Sequence, residues 1–209
     1  MPAYRLAIFD FDGTLGDTMG WMLDASDQMA EKFGFRKIDR SQLDTLRTMT
    51  ARDLMKLQRL PALKLPIIAA HFHTLMASEA GTIRMFDGAP ETLRSLHAAG
   101  VKLAVVSSNT EANIRIVLGD ELSGLVSQFA CGATVFGKAS KFRRVLKALG
   151  VAPADAVSIG DEIRDLDAAR EVGLATAVVC WGYTAPDALK AQRPDHVFET
   201  MGEIVGRIG

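Results

Sequence analysis

The sequence predicts an α/β fold in which an open parallel β-sheet lies between two layers of helices, giving three layers in all. Short apolar segments alternate with segments of helical periodicity along most of the 209 residues. The apolar segments are rich in Val, Ile, Leu and Ala without a clean two-residue alternation, which is typical of strands covered on both faces. Such strands in alternation with helices indicate parallel βαβ units, and this pattern decides the fold class.

The elements of the predicted sheet and its covering helices follow in chain order. Strands are expected at 5–9, 102–106, 127–131, 156–159, 174–179 and 195–198. Helices are expected at 89–99, 110–118, 139–149, 163–172, 185–191 and 200–208. Pro90 suits the first turn of its helix. Four of the helices are followed by a glycine, the residue that most easily takes the left-handed conformation ending a helix: Gly100, Gly119, Gly150 and Gly173.

Residues 16–83 interrupt this alternation and contain no convincing strand. Apolar residues at helical spacing predict one helix ending before Gly34 and another from about 66 to 80, ahead of Gly81. Between them, the segment from Thr50 to Asp53 resembles a capping box. The sequence therefore predicts a small all-helical cap at 16–83, inserted after the first strand of a core formed by 1–15 and 84–209.

Composition and charge exclude several classes of protein. The formal net charge of −1 gives no indication of a nucleic-acid partner or of an anionic membrane surface. No apolar run approaches the ~20 residues of a membrane-spanning helix, and no amino-terminal stretch has the length of a signal peptide. Two cysteines, Cys131 and Cys180, suit a reducing compartment. We expect a soluble cytoplasmic protein, and the sequence leaves open whether it is a monomer or a homodimer.

Polar residues follow three of the predicted strands at the point where each strand ends. In open α/β sheets, ligands bind outside the carboxyl ends of the strands, where the strand order switches. Burying several carboxylates is costly unless a cation compensates, and an oxygen-ligated divalent cation such as Mg²⁺ fits best. The residues are Asp10 and Asp12 in the segment Asp10-Phe11-Asp12-Gly13-Thr14-Leu15, then Ser107, Ser108 and Asn109, and then Asp161 after Gly160, with Asp165 four residues later.

Ordinary structural roles compete with the metal-site interpretation at each position. Asp is a common turn former, and Asn109 suits the N-cap of the helix that follows it. If a helix begins near Glu162, Asp161 is its N-cap and Asp165 lies in its first turn, where the helix dipole favours an anion. Each position alone is ambiguous, whereas the three strand ends together favour one shared polar site.

Lys138 and Lys141 are the candidate cations near these carboxylates. A lysine at the start of its helix offsets the charge of carboxylates and of a bound phosphate as a point charge, and Lys138 is preferred. The stretch 132–139 is a near miss to a P-loop, because Ala139 stands where that motif needs Ser or Thr. Residues 135 and 136 also suit a short strand better than a phosphate loop.

Together these residues resemble the haloacid dehalogenase superfamily, in particular its phosphoglycolate-phosphatase-like and phosphoserine-phosphatase-like members with a helical cap of the first type. The segment 10–15 matches the first motif throughout, and Ser107 matches the second. Lys138 matches the third, although Ala139 replaces the commonest proline after it. Gly160-Asp161 with Asp165 matches the fourth in the same chain order. The resemblance covers nearly all of 1–209 and implies a Rossmann-like core with the cap after its first strand.

The resemblance also implies an activity. The expected protein is a Mg²⁺-dependent phosphatase that hydrolyses a small, phosphoglycolate-like organic phosphomonoester through an aspartyl-phosphate intermediate. Asp10 is the implied nucleophile, and Asp12 the implied general acid and base. The implied metal ligands are Asp10, the backbone carbonyl of Asp12, and Asp161.

Further site residues are implied around the phosphate. Ser107 and N–H groups near Gly13 and Ser108 are expected to bind phosphate oxygens. Lys138 is expected to offset excess negative charge. Asp165 is expected to orient Lys138 or metal-bound water.

Two other functions stay open from the sequence. One is a phosphomutase acting on a sugar phosphate, and the other is a non-catalytic binding protein that retains the fold. Substrate specificity is expected to lie in the cap and at the neighbouring sheet edge. Candidates for contact with a leaving group are Trp21, Arg47, Arg52 and His73 from the cap and Trp181 and Tyr183 beyond strand 174–179, with core packing or solvent exposure as the alternative for each.

Overall fold

The computed structural model describes residues 2–49, 51–132 and 137–209, and leaves the side chains of residues 51 and 52 outside the description. The strands are β1 (Leu6–Phe9), β2 (Gly16–Asp17), β3 (Arg84–Met85), β4 (Lys102–Val106), β5 (Val126–Ala130), β6 (Ala156–Gly160), β7 (Ala175–Val179) and β8 (His196–Phe198). The helices are α1 (Met19–Phe33), α2 (Leu43–Leu46), α3 (Ala51–Leu57), α4 (Leu65–Glu79), α5 (Ala89–Ala98), α6 (Glu111–Leu125), α7 (Gly137–Leu149), α8 (Ile163–Val172), α9 (Pro186–Ala191) and α10 (Gly202–Ile208).

One parallel sheet contains β1 and β4 to β8, in the order β5-β4-β1-β6-β7-β8. Ile8 in β1 pairs with Ala104 in β4 on one side and with Ser158 in β6 on the other. The chain runs outward from β1 to β4 and β5, then returns to β6 and continues the other way. The strand order therefore switches beside β1, where ligands of open α/β sheets bind.

Helices cover both faces of this sheet. Ala7 and Phe9 of β1 belong to an apolar cluster with residues of α5, α6 and α10, whereas Leu6 and Ile8 belong to a second cluster with residues of α7 and α8. Burial of alternate residues on opposite faces explains why β1 reads as a continuous apolar run. The predicted α/β fold with a parallel sheet is confirmed, and each predicted strand matches the observed one to within one residue at either end.

Helices α1 to α4 lie between β2 and β3. The helix α1 buries Ala25, Met29 and Ala30 and ends at Gly34, which has a φ of 75°. The helix α4 matches the prediction for 66–80 to within one residue at either end. The predicted capping box begins at Thr50, which lies outside the described residues, as do the residues of the possible strand at 135–136. No helix in the described part of the chain has both the length and the apolar character to cross a lipid bilayer.

One local prediction is wrong. Residues 16–83 were expected to contain no strand, but β2 pairs antiparallel with β3, placing Gly16 opposite Met85. Strands of two residues are too short to show any hydropathy pattern. The helix expected at 110–118 does end at Gly119, which has a non-helical backbone with φ 70° and ψ 173°. A second helical segment follows this kink at once, so α6 is given as extending to Leu125, and its Leu122 is buried in the core.

Candidate active site

Three neighbouring strands end in polar residues that the sequence singles out. Asp10 follows β1, Ser107 follows β4 and Asp161 follows β6. Their exposed fractions are only 4%, 1% and 0%. Buried polar groups at the switch in strand order need partners, because leaving them unpaired is costly.

Asp10, Asp161 and Asp165 form a buried carboxylate cluster. One oxygen of each lies within 4.8 Å of the others. The Nζ atom of Lys138 lies 2.7 Å from Oδ2 of Asp10 and 2.6 Å from Oδ1 of Asp165. One ammonium group facing three carboxylates leaves an excess of negative charge, which favours a further cation.

Hydrogen bonds from the surrounding chain fix the orientation of this carboxylate cluster. Phe11 N donates to Asp10, and Glu162 N donates to Asp165. Asp161 accepts from Thr14 Oγ1 and from Tyr183 N. These four distances lie between 2.7 and 3.2 Å. A carboxylate oxygen has two lone pairs, so an oxygen that accepts one hydrogen bond retains a position for a metal. A donor set made only of carboxylate oxygens suits Mg²⁺.

The electrostatics of the cluster also fit a bound cation. Burial, and then the charges of Asp10 and Asp165, raise the pKa of Asp161 well above its ordinary value. Burial raises the pKa of Asp10 as well, and the charge of Lys138 opposes that rise. Burial alone would lower the pKa of Lys138, but the two carboxylates beside it raise it above that of an ordinary lysine. The lysine therefore stays charged, and a divalent cation would relieve the remaining repulsion among the carboxylates.

The side chain of Asp12 is not part of the carboxylate cluster and contacts the segment after β4 instead. Its Oδ1 lies 3.2 Å from Nδ2 of Asn109, and its Oδ2 lies 3.4 Å from Oγ of Ser107. Burial, and next the charge of Asp10, raise the pKa of Asp12 to about 6. A group that both donates and accepts a proton works best with a pKa close to the working pH.

Residues 7–179 match the family model of the haloacid dehalogenase-like hydrolases. The chain belongs to this family. A phosphoglycolate phosphatase from Synechococcus elongatus is 29% identical over 199 residues, which cover 95% of this chain and 94% of the relative. A phosphoglycolate phosphatase from Agrobacterium fabrum is 30% identical over 216 residues, covering 97% and 91%. The resemblance predicted from the four motifs is confirmed, as is the predicted class of enzyme, a phosphoric monoester hydrolase.

Solved structures of haloacid dehalogenase-like proteins share the fold over almost the whole chain. A hydrolase of this family from Streptococcus pneumoniae superposes with a TM-score of 0.84 and covers 98% of both chains at 18% identity. CbbY from Rhodobacter sphaeroides, in complex with phosphate, gives a TM-score of 0.77 and covers 96% of both chains at 22% identity. At identities this low, the superpositions establish a common fold and no more.

The helix after β6 of this hydrolase begins differently from the simplest expectation. The N-cap of α8 is Glu162 rather than Asp161. Asp165 occupies the third position of the helix, and its carboxylate accepts a hydrogen bond from the N–H of Glu162, 3.2 Å away. Helix capping therefore explains the hydrogen bond to one oxygen of Asp165. It does not explain why a carboxylate is buried at Asp161, which is not the N-cap.

The helix after β4 also corrects an expectation, and it reveals a residue of the site. Thr110, rather than Asn109, is the N-cap of α6, and its hydroxyl accepts a hydrogen bond from Asn113 N. Asn109 is 5% exposed, and its amide faces Asp12. The sequence signal for Asn109 was its position two residues after Ser107 at the same strand end. Because Asn109 also suited the N-cap of the helix, the sequence did not predict its contact with Asp12.

The remaining predicted residues lie in different surroundings. Lys141 is buried and donates to two backbone carbonyls, including that of Ser107, so it anchors loops rather than facing the carboxylate cluster. Ser108 is exposed and lines the cleft. The N–H of Gly13 donates to the carbonyl of Gly16 at 3.0 Å, which competes with the phosphate contact expected of Gly13.

The segment after β7 packs against the loop that follows β1. Trp181 Nε1 donates to the carbonyl of Thr14 at 3.1 Å, and the hydroxyl of Tyr183 is hydrogen bonded to that of Thr18. Burial raises the pKa of Tyr183 well above its ordinary value, so its hydroxyl stays protonated. Tyr183 therefore belongs to the wall of the site, whereas Trp181 packs against the apolar core and against Phe86.

A cavity of about 610 Å³ lies between the strand ends and helices α1 to α4. Its core side is polar and includes Asp12, Ser108, Asn109 and Tyr183. The side formed by α1 to α4 is largely apolar. Of the residues predicted to contact a leaving group from this segment, Arg47 and His73 line the cavity. Trp21 donates to Glu79 of α4 at 2.7 Å, and the side chain of Arg52 lies outside the described residues.

Proposed function

We propose that this protein is a Mg²⁺-dependent phosphatase that hydrolyses a small organic phosphomonoester through an aspartyl phosphate on Asp10. The observation that carries the proposal is the convergence of Asp10, Asp161, Asp165 and Lys138, four side chains from separate elements or strand ends, at the switch in strand order. A charge-compensated anionic pocket of this kind is suited to a metal and a phosphoryl group together.

Asp10, Asp161 and the backbone carbonyl of Asp12 would hold the metal, with Asp165 beside them. This assignment is supported by the oxygen-only donor set and by the raised pKa of Asp161, both of which fit a divalent cation. When bound, Mg²⁺ supplies positive charge that screens an anionic substrate from an anionic nucleophile and stabilises charge in the transition state.

Two steps then follow from the positions of Asp10 and Asp12. In the first, a carboxylate oxygen of Asp10 forms a bond to phosphorus, the bond from phosphorus to the leaving oxygen breaks, and Asp12 gives its proton to that oxygen. In the second, Asp12 takes a proton from water, the water oxygen bonds to phosphorus, and the aspartyl bond breaks to release inorganic phosphate. The contacts of Asp12 with Asn109 and Ser107 support this role, because they hold its carboxyl against the segment after β4.

Residues around the phosphate position complete the proposal. The Ser107 hydroxyl oxygen accepts from Asn109 N at 3.1 Å, which holds the hydroxyl at the strand end. Its long hydrogen bond of 3.4 Å to Asp12 would give way to one with an incoming phosphate oxygen. Ser108 contributes a further donor, whereas the N–H groups of Gly13 and Thr14 already donate within the turn after β1. Lys138, fixed between two carboxylates, offsets the charge of the phosphoryl group in transfer.

We further propose that 16–83 acts as a cap domain over a core formed by 1–15 and 84–209. The proposal is supported by the β2–β3 pair, which brings both ends of the inserted segment together. A cap closed over the leaving-group side excludes water that would compete with productive chemistry. Location in the cytoplasm and assembly as a monomer or homodimer stay predictions, and the unpaired Cys131 and Cys180 agree with a reducing compartment.

The experiment is a turnover assay with p-nitrophenyl phosphate and a panel of small phosphates that includes 2-phosphoglycolate, for which the Synechococcus and Agrobacterium relatives are named. We expect hydrolysis that needs Mg²⁺, stops with EDTA and is lost in Asp10→Asn. The matched control is Asp17→Asn, an exposed aspartate in β2. Wild-type activity in Asp10→Asn would refute the nucleophile, phosphoryl transfer to a sugar phosphate in preference to water would indicate a mutase, and no turnover of any phosphate would favour a binding protein.

A further inference from the structure

The cavity above the proposed site has two chemically different sides. Asp12, Ser108 and Asn109 line it at the strand ends, where the phosphate and the leaving oxygen would lie. The opposite side, contributed by α1 to α4 and the turns between them, is dominated by thioether, aliphatic and aromatic side chains. They include Met19, Met22, Leu46, Met49, Phe72 and Met76.

We propose that this cavity selects phosphomonoesters whose leaving group is a largely apolar chain or ring, in preference to small acids such as 2-phosphoglycolate. The inference rests on the proposed phosphatase function and names the substrate class for the same site. Three properties of the described lining residues carry it: their polarity, the positions and contacts of their basic side chains, and the volume that they enclose.

The two arginines that line the cavity are already engaged in hydrogen bonds or an ion pair. The guanidinium of Arg47 donates to the carbonyls of Gly182 and Tyr183, at 2.7 and 3.3 Å. The guanidinium of Arg164 is paired with the carboxylate of Glu162 at 2.5 Å. A carboxylate placed against the apolar side chains of α1 to α4 would remain unpaired, which is costly.

His73 is the remaining basic side chain among the described residues of the lining. It is exposed, and its ring contacts that of Phe72 with a centroid separation of 6.1 Å. A ligand group that reaches His73 therefore stays in contact with water. This position suits a polar tail at the far end of a long leaving group better than the carboxylate of a two-carbon acid.

The volume of the cavity points the same way. About 610 Å³ falls within the range of sites that enclose drug-sized ligands. A two-carbon leaving group would leave most of this space to water in contact with apolar walls, whereas a longer apolar group displaces that water. The methionines are flexible and polarisable, so they adapt to chains and rings of different shape. We therefore expect the enzyme to accept leaving groups of many shapes but to discriminate against polar ones.

The test uses the full-length protein with Mg²⁺ and a series of ethyl, butyl and hexyl phosphate, with 2-phosphoglycolate alongside. Complete burial of a methylene group improves binding by about fourfold. We expect kcat/KM to rise by about threefold or more for each pair of methylenes added, and to be lower for 2-phosphoglycolate than for hexyl phosphate. A flat or falling series, or a preference for 2-phosphoglycolate, overturns the inference while leaving the phosphatase proposal intact. Failure to hydrolyse any ester overturns both.

A variant and a binding measurement make the test sharper. Met22→Gln places an amide in the apolar wall and should reduce the ratio of kcat/KM for hexyl over ethyl phosphate. The matched control is Ile67→Gln in α4, because Ile67 is 61% exposed and is not part of the lining. Calorimetry with the non-hydrolysable ethyl- and hexylphosphonates should show tighter binding and a more negative heat-capacity change for the longer one. Equal affinities and equal heat-capacity changes contradict the proposal without reference to catalysis.

Discussion

Gly13 occupies a backbone position that other residues would occupy only under strain. Its φ of 75° lies in the left-handed region, and a Cβ atom added there would stand 2.3 Å from Oδ2 of Asp161. The turn after β1 must come this close for Thr14 to donate its hydrogen bond to Asp161. The glycine of the first motif is therefore explained by the geometry of a proposed metal ligand as well as by the turn.

Gly13→Ala should weaken Mg²⁺ binding by about 10–100-fold, the usual effect of disturbing the residues that orient metal ligands. The added methyl group must push Asp161 aside, since it cannot fit at 2.3 Å. Isothermal titration with Mg²⁺ measures the effect. Gly81→Ala is the control, because a Cβ there meets no atom within 4 Å. Unchanged Mg²⁺ affinity in Gly13→Ala would show that Asp161 is not a ligand.

Asp12→Asn should lower kcat by about 10²-fold or more, because the amide can neither protonate the leaving oxygen nor accept a proton from water. Binding of inorganic phosphate should change little, since the carboxylate cluster is untouched. Steady-state kinetics and a phosphate titration separate the two effects. Asp17→Asn again serves as the control, and a kcat in Asp12→Asn equal to that of this control would remove Asp12 from the mechanism.

At the scale of elements, the segment after α2 contacts the same loop that orients Asp161. Arg47 donates to the carbonyls of Gly182 and Tyr183, and its own carbonyl accepts from Ala185 N at 2.9 Å. The N–H of Tyr183 in turn donates to Asp161 at 2.8 Å. The short segment 182–185 therefore both contacts the segment after α2 and orients a proposed metal ligand.

Arg47→Ala should reduce kcat/KM by about tenfold, the combined effect of losing two hydrogen bonds of ordinary strength. It should also speed amide hydrogen exchange in residues 43–49 and 182–185. The two segments would keep the hydrogen bond from Ala185 N to the Arg47 carbonyl but lose both side-chain hydrogen bonds. Arg40→Ala is the matched control, because Arg40 pairs with Asp24 and Asp27 inside the cap. If Arg47→Ala and Arg40→Ala have the same exchange rates and the same kcat/KM, Arg47 does not couple the segment after α2 to the segment 182–185.

The edge of the sheet depends on a carboxylate at the start of β8. Oδ2 of Asp195 accepts hydrogen bonds from the N–H and the hydroxyl of Thr176, both at 2.8 Å. These two bonds lower the pKa of Asp195 in the folded protein. The stabilisation is therefore fully present above the unfolded-state pKa of about 3.9, and it is lost as the pH falls through the lower folded-state value.

Asp195→Asn should lower the free energy of unfolding at pH 7 by about 0.5–1 kcal/mol, a small effect because the carboxylate is exposed. The difference from wild type should shrink as the pH falls below about 4. Urea titrations at pH 7 and at a pH below about 4 measure the free energy of unfolding of both proteins. Asp120→Asn in α6 is the control, because Asp120 is also exposed. A destabilisation that grows on acidification would contradict the assigned direction.

At the scale of the whole molecule, the sequence was most informative where physical requirements are local. Each strand of the main sheet is a short apolar run ending in a polar residue, so Asp10, Ser107 and Asp161 could be found before any contact was known. The rule that ligands bind at the carboxyl ends of parallel strands then brought these residues together. Their contacts with Lys138 and Asp165 agree with that reasoning.

Features that depend on contacts distant in sequence could not be predicted in this way. The β2–β3 pair joins Gly16 to Met85, and neither strand is long enough to show a pattern. Asn109 satisfied the rules for an N-cap, and only the fold shows that its amide faces Asp12. The apolar cap side of the cavity needs four helices to be packed, so periodicity alone identified those residues only as cap core.

The account depends above all on Asp10 as the acceptor of the phosphoryl group. The most direct measurement is acid quenching of the Mg²⁺-loaded enzyme during turnover of a phosphomonoester, followed by peptide mass spectrometry. We predict one phosphoryl group on Asp10, absent in Asp10→Asn and retained in Asp17→Asn. A phosphoryl group on any other residue, or turnover without a phosphorylated enzyme under conditions that trap acyl phosphates, would contradict the account.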